Sequence, residues 1–524
     1  MPSATLSFRK GEEEVRPRTQ RSPGQDVQLW PGLGNDAREP IAWAWVIALL
    51  FVAAILRAIA LNQQLWFDEI IMLLDSARGS VWQTITKYDW QNQHTLYSLL
   101  AHGSIRLFGE QPWALRLPAM LFGIASIPAL YWFARLVTTN REALLASGLM
   151  AVNYQHIWFS QNARGYTGMA FWSLAASILF IRSAGGGRAR HWVLYGIVAA
   201  LGVYTHLTMA FVVVGHALVY VWLVASRARA LHGVRKDFFQ PAYGIVSSGV
   251  LSFLLYAPVI SRVFARTIGV AGKTVRTDWA SPIWAFWETM HGLGGHNAGG
   301  LAVALVGGLV LLTGTVSYWR QNRFVVGLIA LPALATGAAV LATSHNLWPR
   351  FFFFEIGFGL LLLVRGAMVW GIEAARLFGL RPEFGKTLGT AIVVLMMLGS
   401  LPLLRTVYKP KQDYVGAIGF VESHAQTGDP ILAAGDLSTP FQRYYGRPWP
   451  TLQTGAQLEA FLHEGRVTWL VYSMPINLRA IYPDIWEVVQ SRFQTVRVFS
   501  GTLGGGEIYV SRSVAGDTTR SAAQ

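Results

Sequence analysis

From Gln64 to Ile70 the chain reads QLWFDEI, and its two carboxylates, Asp68 and Glu69, follow directly on a long apolar run. Adjacent carboxylates repel each other and lose hydration when desolvated, so a surface loop has no need of them behind a Trp-Phe pair. Further along stand His94 in NQHTL, then Gln161, Asn162, Arg164 and Tyr166 in FSQNARGYTGM, then His345 and Arg350 in SHNLWPRFFFF. Acid, amide, imidazole and guanidinium together suit one kind of reaction. A carboxylate can take the proton of an attacking hydroxyl, and an arginine can hold a phosphate through two parallel hydrogen bonds. The combination points to transfer of a group from a lipid-linked phosphate to a hydroxyl, with Asp68 as the base. Glu69 would tune or orient it, or help to hold a cation. Taken singly, each residue has an ordinary reading: a solvated acidic loop, a structural histidine starting a helix, an arginine anchoring at a membrane interface. His206, between two apolar stretches, reads as a polar turn residue. The case rests on whether the chain brings these residues to one place.

The elements that must do so are membrane helices. The 524 residues are 53% hydrophobic and only 14% charged, and the apolar residues come in blocks of about 17–25, the length that crosses a hydrocarbon core. The blocks lie near 41–61, 114–137, 142–160, 167–183, 191–206, 207–225, 240–262, 298–318, 324–343, 351–371 and 387–405, about eleven transmembrane helices. There is no cysteine, which excludes disulfides and thiolate metal sites. The net charge of +15 falls in short runs between the blocks, an orientation signal rather than a stripe for nucleic acid. Residues 1–40 lack the apolar stretch of a cleavable signal and are expected to form a disordered cytoplasmic tail.

With the N-terminus inside, the turns RLVTTNRE, RSAGGGRARH, RARALHGVRK, YWRQNR and EAARLFGLRPEFGK all fall on the cytoplasmic side, as the positive-inside rule requires. This holds only if 94–109, HTLYSLLAHGSIRLFG, does not span. Its short apolar core carries His102 and Arg106, so it reads as a helix lying in the outer interface. The segment GSVWQTITKYDW before it reads as amphipathic, with Val81, Trp82 and Ile85 on one side. The outer face then holds the loop 62–113, the turns near 161–166, 206 and 344–350, the loop 263–297 and everything after 406. Residues 406–512 read as a small α/β domain of helix-strand units closed by a hairpin, with a disordered end at 513–524.

LWFDEIIMLLDSARGS, then NQHTLYSLLAHGSIRLFGEQPWALRLPAMLFGIASIPALYWFARLV, then HIWFSQNARGYTGM resemble, in order and spacing, the GT-C membrane glycosyltransferases. The similarity is to the bacterial family-39-like group, with its lipid A aminoarabinose and galacturonic acid transferases, related to protein O-mannosyltransferases. It runs over residues 41 to about 183 and more weakly through LWPRFFFF to the tail. The resemblance implies sugar transfer from a polyprenyl-phosphate donor on the periplasmic side, with inversion at the anomeric carbon. It places the catalytic acid at Asp68, the family's SQEARxY motif at Ser160 to Tyr166, and its Pro-Arg turn at Pro349 and Arg350. Two positions depart from the pattern. Asn162 stands where the motif has Glu, and His94-Thr95 where it has His-Pro. The first removes a carboxylate and leaves a bound divalent metal undecided.

The expectation is therefore an α-helical polytopic membrane protein, GT-C-like, with a small C-terminal α/β extracytoplasmic domain, in the bacterial inner membrane. Asp68 and Glu69 would be catalytic. Arg164 and Arg350 would bind the donor phosphate, and His94, Gln161, Asn162, Tyr166 and His345 would line the sugar or lipid pocket. The partners would be the polyprenyl-phosphate sugar, the bilayer and a cell-envelope acceptor: lipid A, a polysaccharide, a glycolipid or a protein. Two rivals stand beside it, a non-catalytic relative that binds lipid-linked sugar and a lipid or solute transporter. A transporter would place ionisable groups at mid-span, and the expected span centres hold almost none.

Overall fold

The computed structural model describes residues 40–88, 93–186, 189–227, 235–267, 281–284, 298–343, 345–462 and 466–514. The tails expected at 1–40 and 513–524 fall almost wholly outside these residues, as does most of the loop expected at 263–297. Helices occupy every stretch expected to span. Among the described residues, seven are long and apolar enough to cross a hydrocarbon core unaided: Pro112–Arg135, Tyr166–Ala184, Met209–Ser226, Gln240–Arg266, Gly300–Ala342, Pro349–Leu377 and Pro382–Val407. This is a multi-pass membrane protein.

The expected spans differ from the observed helices where a single residue interrupts the chain. The spans 298–318 and 324–343 lie in one long helical stretch, Ala298–Ala342, broken at Asn322 with φ −154° and ψ 93°. Its side chain accepts from the Phe324 N–H at 3.1 Å, restarting the helix as a cap does. The span 142–160 is likewise two helices, Asn140–Val152 and Tyr154–Ser160, with Asn153 capping the second through the His156 N–H at 2.8 Å. Helix Trp43–Ala58 has only 16 residues.

Glycines bring the last helices of the bundle together. A Cβ on Gly371 would come within 2.3 Å of the Gly389 nitrogen, and one on Gly366 within 1.9 Å of the Val310 carbonyl oxygen. In a bilayer, where burying apolar surface between helices gains little, such backbone contact is a main source of packing energy.

After the bundle, helix Tyr414–His424 leads into a five-stranded sheet of β1 (Ile431–Ala434), β2 (Thr451–Leu452), β3 (Trp469–Ser473), β4 (Phe493–Phe499) and β5 (Ile508–Ser513). The order is β2-β1-β3-β5-β4, with β1 parallel to β2 and β3, and β5 antiparallel to β3 and β4. The expected hairpin is β4–β5. The two-residue β2 and the helices Pro475–Ile481 and Pro483–Arg492 carry too little periodicity to be read from the chain.

This domain does not merely follow the bundle. Leu65, Ile70, Met72 and Leu73 of the first loop share one apolar cluster with Tyr414, Ile418, Phe441, Val471 and Val510 of the tail. Around it, the Gln64 amide donates to Asp413 at 2.9 Å, the Phe67 N–H donates to Gln412 at 2.9 Å, and Arg443 pairs with Asp75 at 3.0 Å. Helix Val81–Thr86 leaves Val81 and Trp82 exposed. Helix Thr95–Phe108 has 14 residues and exposes Leu100, Leu107 and Phe108, as an interfacial helix would.

Candidate active site

Helix Phe67–Met72 starts from Trp66 in extended conformation, which puts Asp68 and Glu69 side by side in its first turn. The helix then sends them to different places. Glu69 is fully buried. Its Oε1 accepts from Arg116 Nε at 2.8 Å and from the Ala163 N–H at 2.7 Å, and its Oε2 from Arg116 Nη2 at 2.6 Å and the Trp66 N–H at 3.3 Å. The rest of the Arg116 guanidinium donates to the carbonyls of Leu61 at 2.9 Å, Gln63 at 2.8 Å and Gln64 at 3.0 Å. All five Arg116 donors and every lone pair of the carboxylate are used. Burial by itself would raise the Glu69 carboxyl, but the charges of Arg116 and Lys411 and the bonds from Arg116 and Ala163 hold it below the ordinary carboxylate range. Glu69, expected to be catalytic or to help hold a cation, has its lone pairs engaged by Arg116, Trp66 and Ala163, bonds that tie the first loop to the segment around Ala163.

Asp68 keeps 17% of its side chain exposed, and its Oδ2 lies 3.8 Å from Arg164 Nη1. Arg164 is 5% exposed, and its Nη2 lies 3.3 Å from His94 Nε2. The other ring nitrogen, His94 Nδ1, accepts from the Gly165 N–H at 2.8 Å. A Cβ on residue 165 would stand 2.5 Å from that nitrogen and 2.9 Å from the Thr205 carbonyl oxygen, which explains the glycine in ARGY. The His94 ring meets the His206 ring edge to face at 4.6 Å, and Tyr166 packs against both at 5.3 and 5.4 Å. Phe159, Phe351 and Phe353 close the aromatic side.

Arg350 lies over the Trp348 ring at 4.7 Å. Burial first, then the charges of Arg164 and Arg350, press both imidazoles toward the neutral form: His206 is lowered to about 3 and His94 well below its ordinary value. Asn162 accepts from Trp66 Nε1 at 3.1 Å, and its own amide nitrogen is buried without a partner, as are Arg164 Nε and Arg350 Nε.

Asp68, His94, Asn162, Arg164, Tyr166 and Arg350 are therefore neighbours. Two expected residues are turned elsewhere. The Gln161 side-chain amide donates to the carbonyls of Arg57, at 3.0 Å, and Ile59, while the Gln161 main-chain carbonyl accepts from Lys411 Nζ at 2.6 Å. His345 bonds locally to Thr343 at 3.0 Å and, among the described residues, makes no bond or ring contact with the cluster. Three residues that matter escaped the sequence reading. Arg116 stands in the first turns of an apolar helix, His206 was read as a turn residue, and Lys411 follows the last span. Burial, with the Arg116 charge and against the pull of Glu69, lowers Lys411 to about 7.

A metal ion does not fit this donor set. Among the described residues no group of three or more His, Asp or Glu side chains is arranged to hold one, and Glu69 has no lone pair to give.

Residues 94–261 match the family model described as dolichyl-phosphate-mannose-protein mannosyltransferase. Comparison with curated protein sequences gives no match. The fold is similar to that of ArnT from Cupriavidus metallidurans, solved with undecaprenyl phosphate bound, at TM-score 0.53 and 15% identity over 90% of this chain and 99% of that one. The apo state of the same protein gives TM-score 0.54, 14% identity, and 91% and 99% coverage. The oligosaccharyltransferase AglB from Archaeoglobus fulgidus, solved with an inhibitory peptide and a dolichol-phosphate, gives TM-score 0.50 and 12% identity over 91% of this chain and 75% of that one. This chain shares the fold of these structures, a helical membrane bundle capped by a C-terminal domain, over nine-tenths of its length.

Proposed function

We propose that this protein is an inverting glycosyltransferase that moves a sugar from a polyprenyl-phosphate donor to a hydroxyl acceptor of the cell envelope. The observation that carries the reading is Asp68, part-exposed and 3.8 Å from Arg164, at the edge of a buried cluster rich in unpaired donors. The acceptor hydroxyl gives its proton to Asp68 as its oxygen attacks the anomeric carbon. The polyprenyl phosphate departs from the opposite face, and Arg164 and Arg350 stabilise the charge that develops on it. Solved relatives of the same fold hold undecaprenyl phosphate and dolichol-phosphate, which supports a lipid phosphate as the leaving group. The basic turns at 135–142, 182–191, 227–236, 318–323 and 373–386 favour a cytoplasmic location for that end of the bundle. The site and C-terminal domain would then face the periplasm of an inner-membrane protein.

The test is Asp68→Asn against wild type, in membranes supplied with labelled polyprenyl-phosphate sugars. Transfer is expected to fall about 10²–10⁴-fold, with the donor lipid still bound and the protein still folded. Undiminished transfer by the variant would remove Asp68 as base. A second reading, a non-catalytic binder of lipid-linked sugar, draws on Asn162, where the resemblance leads one to expect Glu. It predicts that wild type binds donor without turnover when acceptors are supplied.

A further inference from the structure

The unpaired donors around Arg164 go further than the general reading. A neutral imidazole has one N–H and one lone pair. His94 Nδ1 faces the Gly165 N–H at 2.8 Å, so its lone pair must be there and its hydrogen must be on Nε2. That Nε2 lies 3.3 Å from an Arg164 nitrogen, which is also only a donor. Two donors at that distance cannot bond each other; they can share an acceptor. His206 repeats the arrangement. Its Nδ1 accepts from the Thr208 N–H at 3.3 Å, which favours the hydrogen on Nε2, and lies 2.8 Å from the Thr208 hydroxyl, which also reaches Met169 Sδ at 3.0 Å. Burial and the flanking arginines keep both rings from taking a second proton.

We infer that His94 and His206 are neutral Nε2–H donors which, with Arg164 and Arg350, bind the oxygens of a phosphate group directly and do the work that a divalent cation would otherwise do. The inference rests on the lipid-phosphate reading above and assigns its headgroup contacts. A cation on either imidazole would need an Nε2 lone pair, which requires Nδ1–H pointing at a backbone N–H. The Gly165 amide forbids that tautomer in His94, and the Thr208 amide disfavours it in His206. Orphaned nitrogens surround the same place: Arg164 Nε, Arg350 Nε and Asn162 Nδ2. Every one of these buried groups is a donor, so the missing partner is an acceptor, and the charges of Arg164 and Arg350 beside it favour an anion.

The experiment uses the full-length protein in detergent, stripped of metal with a chelator, with undecaprenyl phosphate and inorganic phosphate as separate probes. Undecaprenyl phosphate should bind the stripped protein as it binds the untreated one, and added Zn²⁺ or Mn²⁺ should not tighten it. His206→Phe, which keeps the ring and removes the donor, should weaken binding about 10–100-fold, while His206→Gln, which keeps an amide donor, stays within a few-fold. Competition by inorganic phosphate near the same concentration would make the headgroup alone the ligand. Competition only in large excess would assign the affinity to the lipid-linked form; both outcomes keep the donor role. Should variants at 206 not fold, ¹⁵N spectra of wild-type histidines decide: two imidazoles with bare Nδ1 and protonated Nε2, unchanged as the pH falls through the ordinary imidazole range, are expected. Either an Nδ1–H signal from these rings or binding restored only by metal overturns the inference. If Arg164→Ala also binds undecaprenyl phosphate unchanged, the failure lies with the phosphate reading itself rather than with the histidines.

Discussion

Asp68 and Glu69 are neighbours in sequence, yet the protein treats their surroundings in opposite ways. Around Glu69 every donor meets an acceptor: Arg116, the Trp66 and Ala163 amides and three loop carbonyls close a buried network with nothing left over. Around Asp68 the accounting fails. Arg164 approaches its carboxylate only at 3.8 Å, and several nitrogens have no partner. Buried polar groups are normally satisfied, so a complete network marks a structural joint and an incomplete one marks a place for something not part of the chain. Charge and burial alone would not separate the two.

The comparison breaks first at Arg116. Arg116→Met leaves Glu69 buried without its partner, which should cost about 3–5 kcal/mol of stability, read as a large fall in the unfolding midpoint in detergent. Glu69→Leu combined with Arg116→Met should recover much of that loss. An unaffected midpoint in the single variant would mean that the joint is not structural. Asp68→Asn, by contrast, should move the midpoint by no more than about 0.5 kcal/mol. Next is Gly165→Ala, whose new Cβ must displace His94 or the chain at Thr205. Overpacking of this kind costs about 1–3 kcal/mol, and loss of donor-lipid binding should exceed the loss of stability.

A smaller effect sharpens the contrast through pH. Unfolded imidazoles take up protons near pH ~6.5, while folded His206 resists until about 3. Between these values the unfolded chain binds more protons, so stability rises with pH there. The contribution is complete above about 6.5 and is lost as pH falls toward 3. Unfolding midpoints from pH 7 to 4 should fall, and His206→Gln should flatten the slope. Arg164, Arg350 and Tyr166 are the groups that face these rings, and Asp68 faces Arg164. The smallest effect is the control: the exposed Glu373–Arg376 pair should be worth no more than about 1 kcal/mol by double-mutant cycle.

Much of this was legible in the residues, because a membrane limits what a chain can do. Apolar length locates helices, and basic turns orient them. What periodicity cannot show is which way a side chain turns at a break. Asn153 and Asn322 interrupt apolar runs that read as spans or gaps between spans, since the signal averages over about 20 residues and a cap acts through one. Asp68 and Glu69 have the same chemistry in sequence; only the helix start at Trp66 sends one to Arg116 and the other to Arg164. Arg116 had no signal beyond its charge in an apolar helix, and His206 none beyond its place in a turn. Each acquires meaning from partners distant in the chain, Glu69 for one and His94 for the other.

The cluster shared by the first loop and the tail has a consequence for how the protein is made. Gln64 and Asp413 bond across 349 residues. At roughly 5–20 residues per second, the ribosome finishes the second partner tens of seconds after the first. Through that interval Leu65, Ile70 and Leu73 have only the part of their cover that Tyr97, Ile105 and Leu115 supply, and the side that meets Tyr414, Phe441 and Val471 stays open. The segment that carries Asp68 is thus among the first made and the last secured. A chain cut short anywhere before the tail would insert in the membrane with its helices in place and its first loop only partly supported.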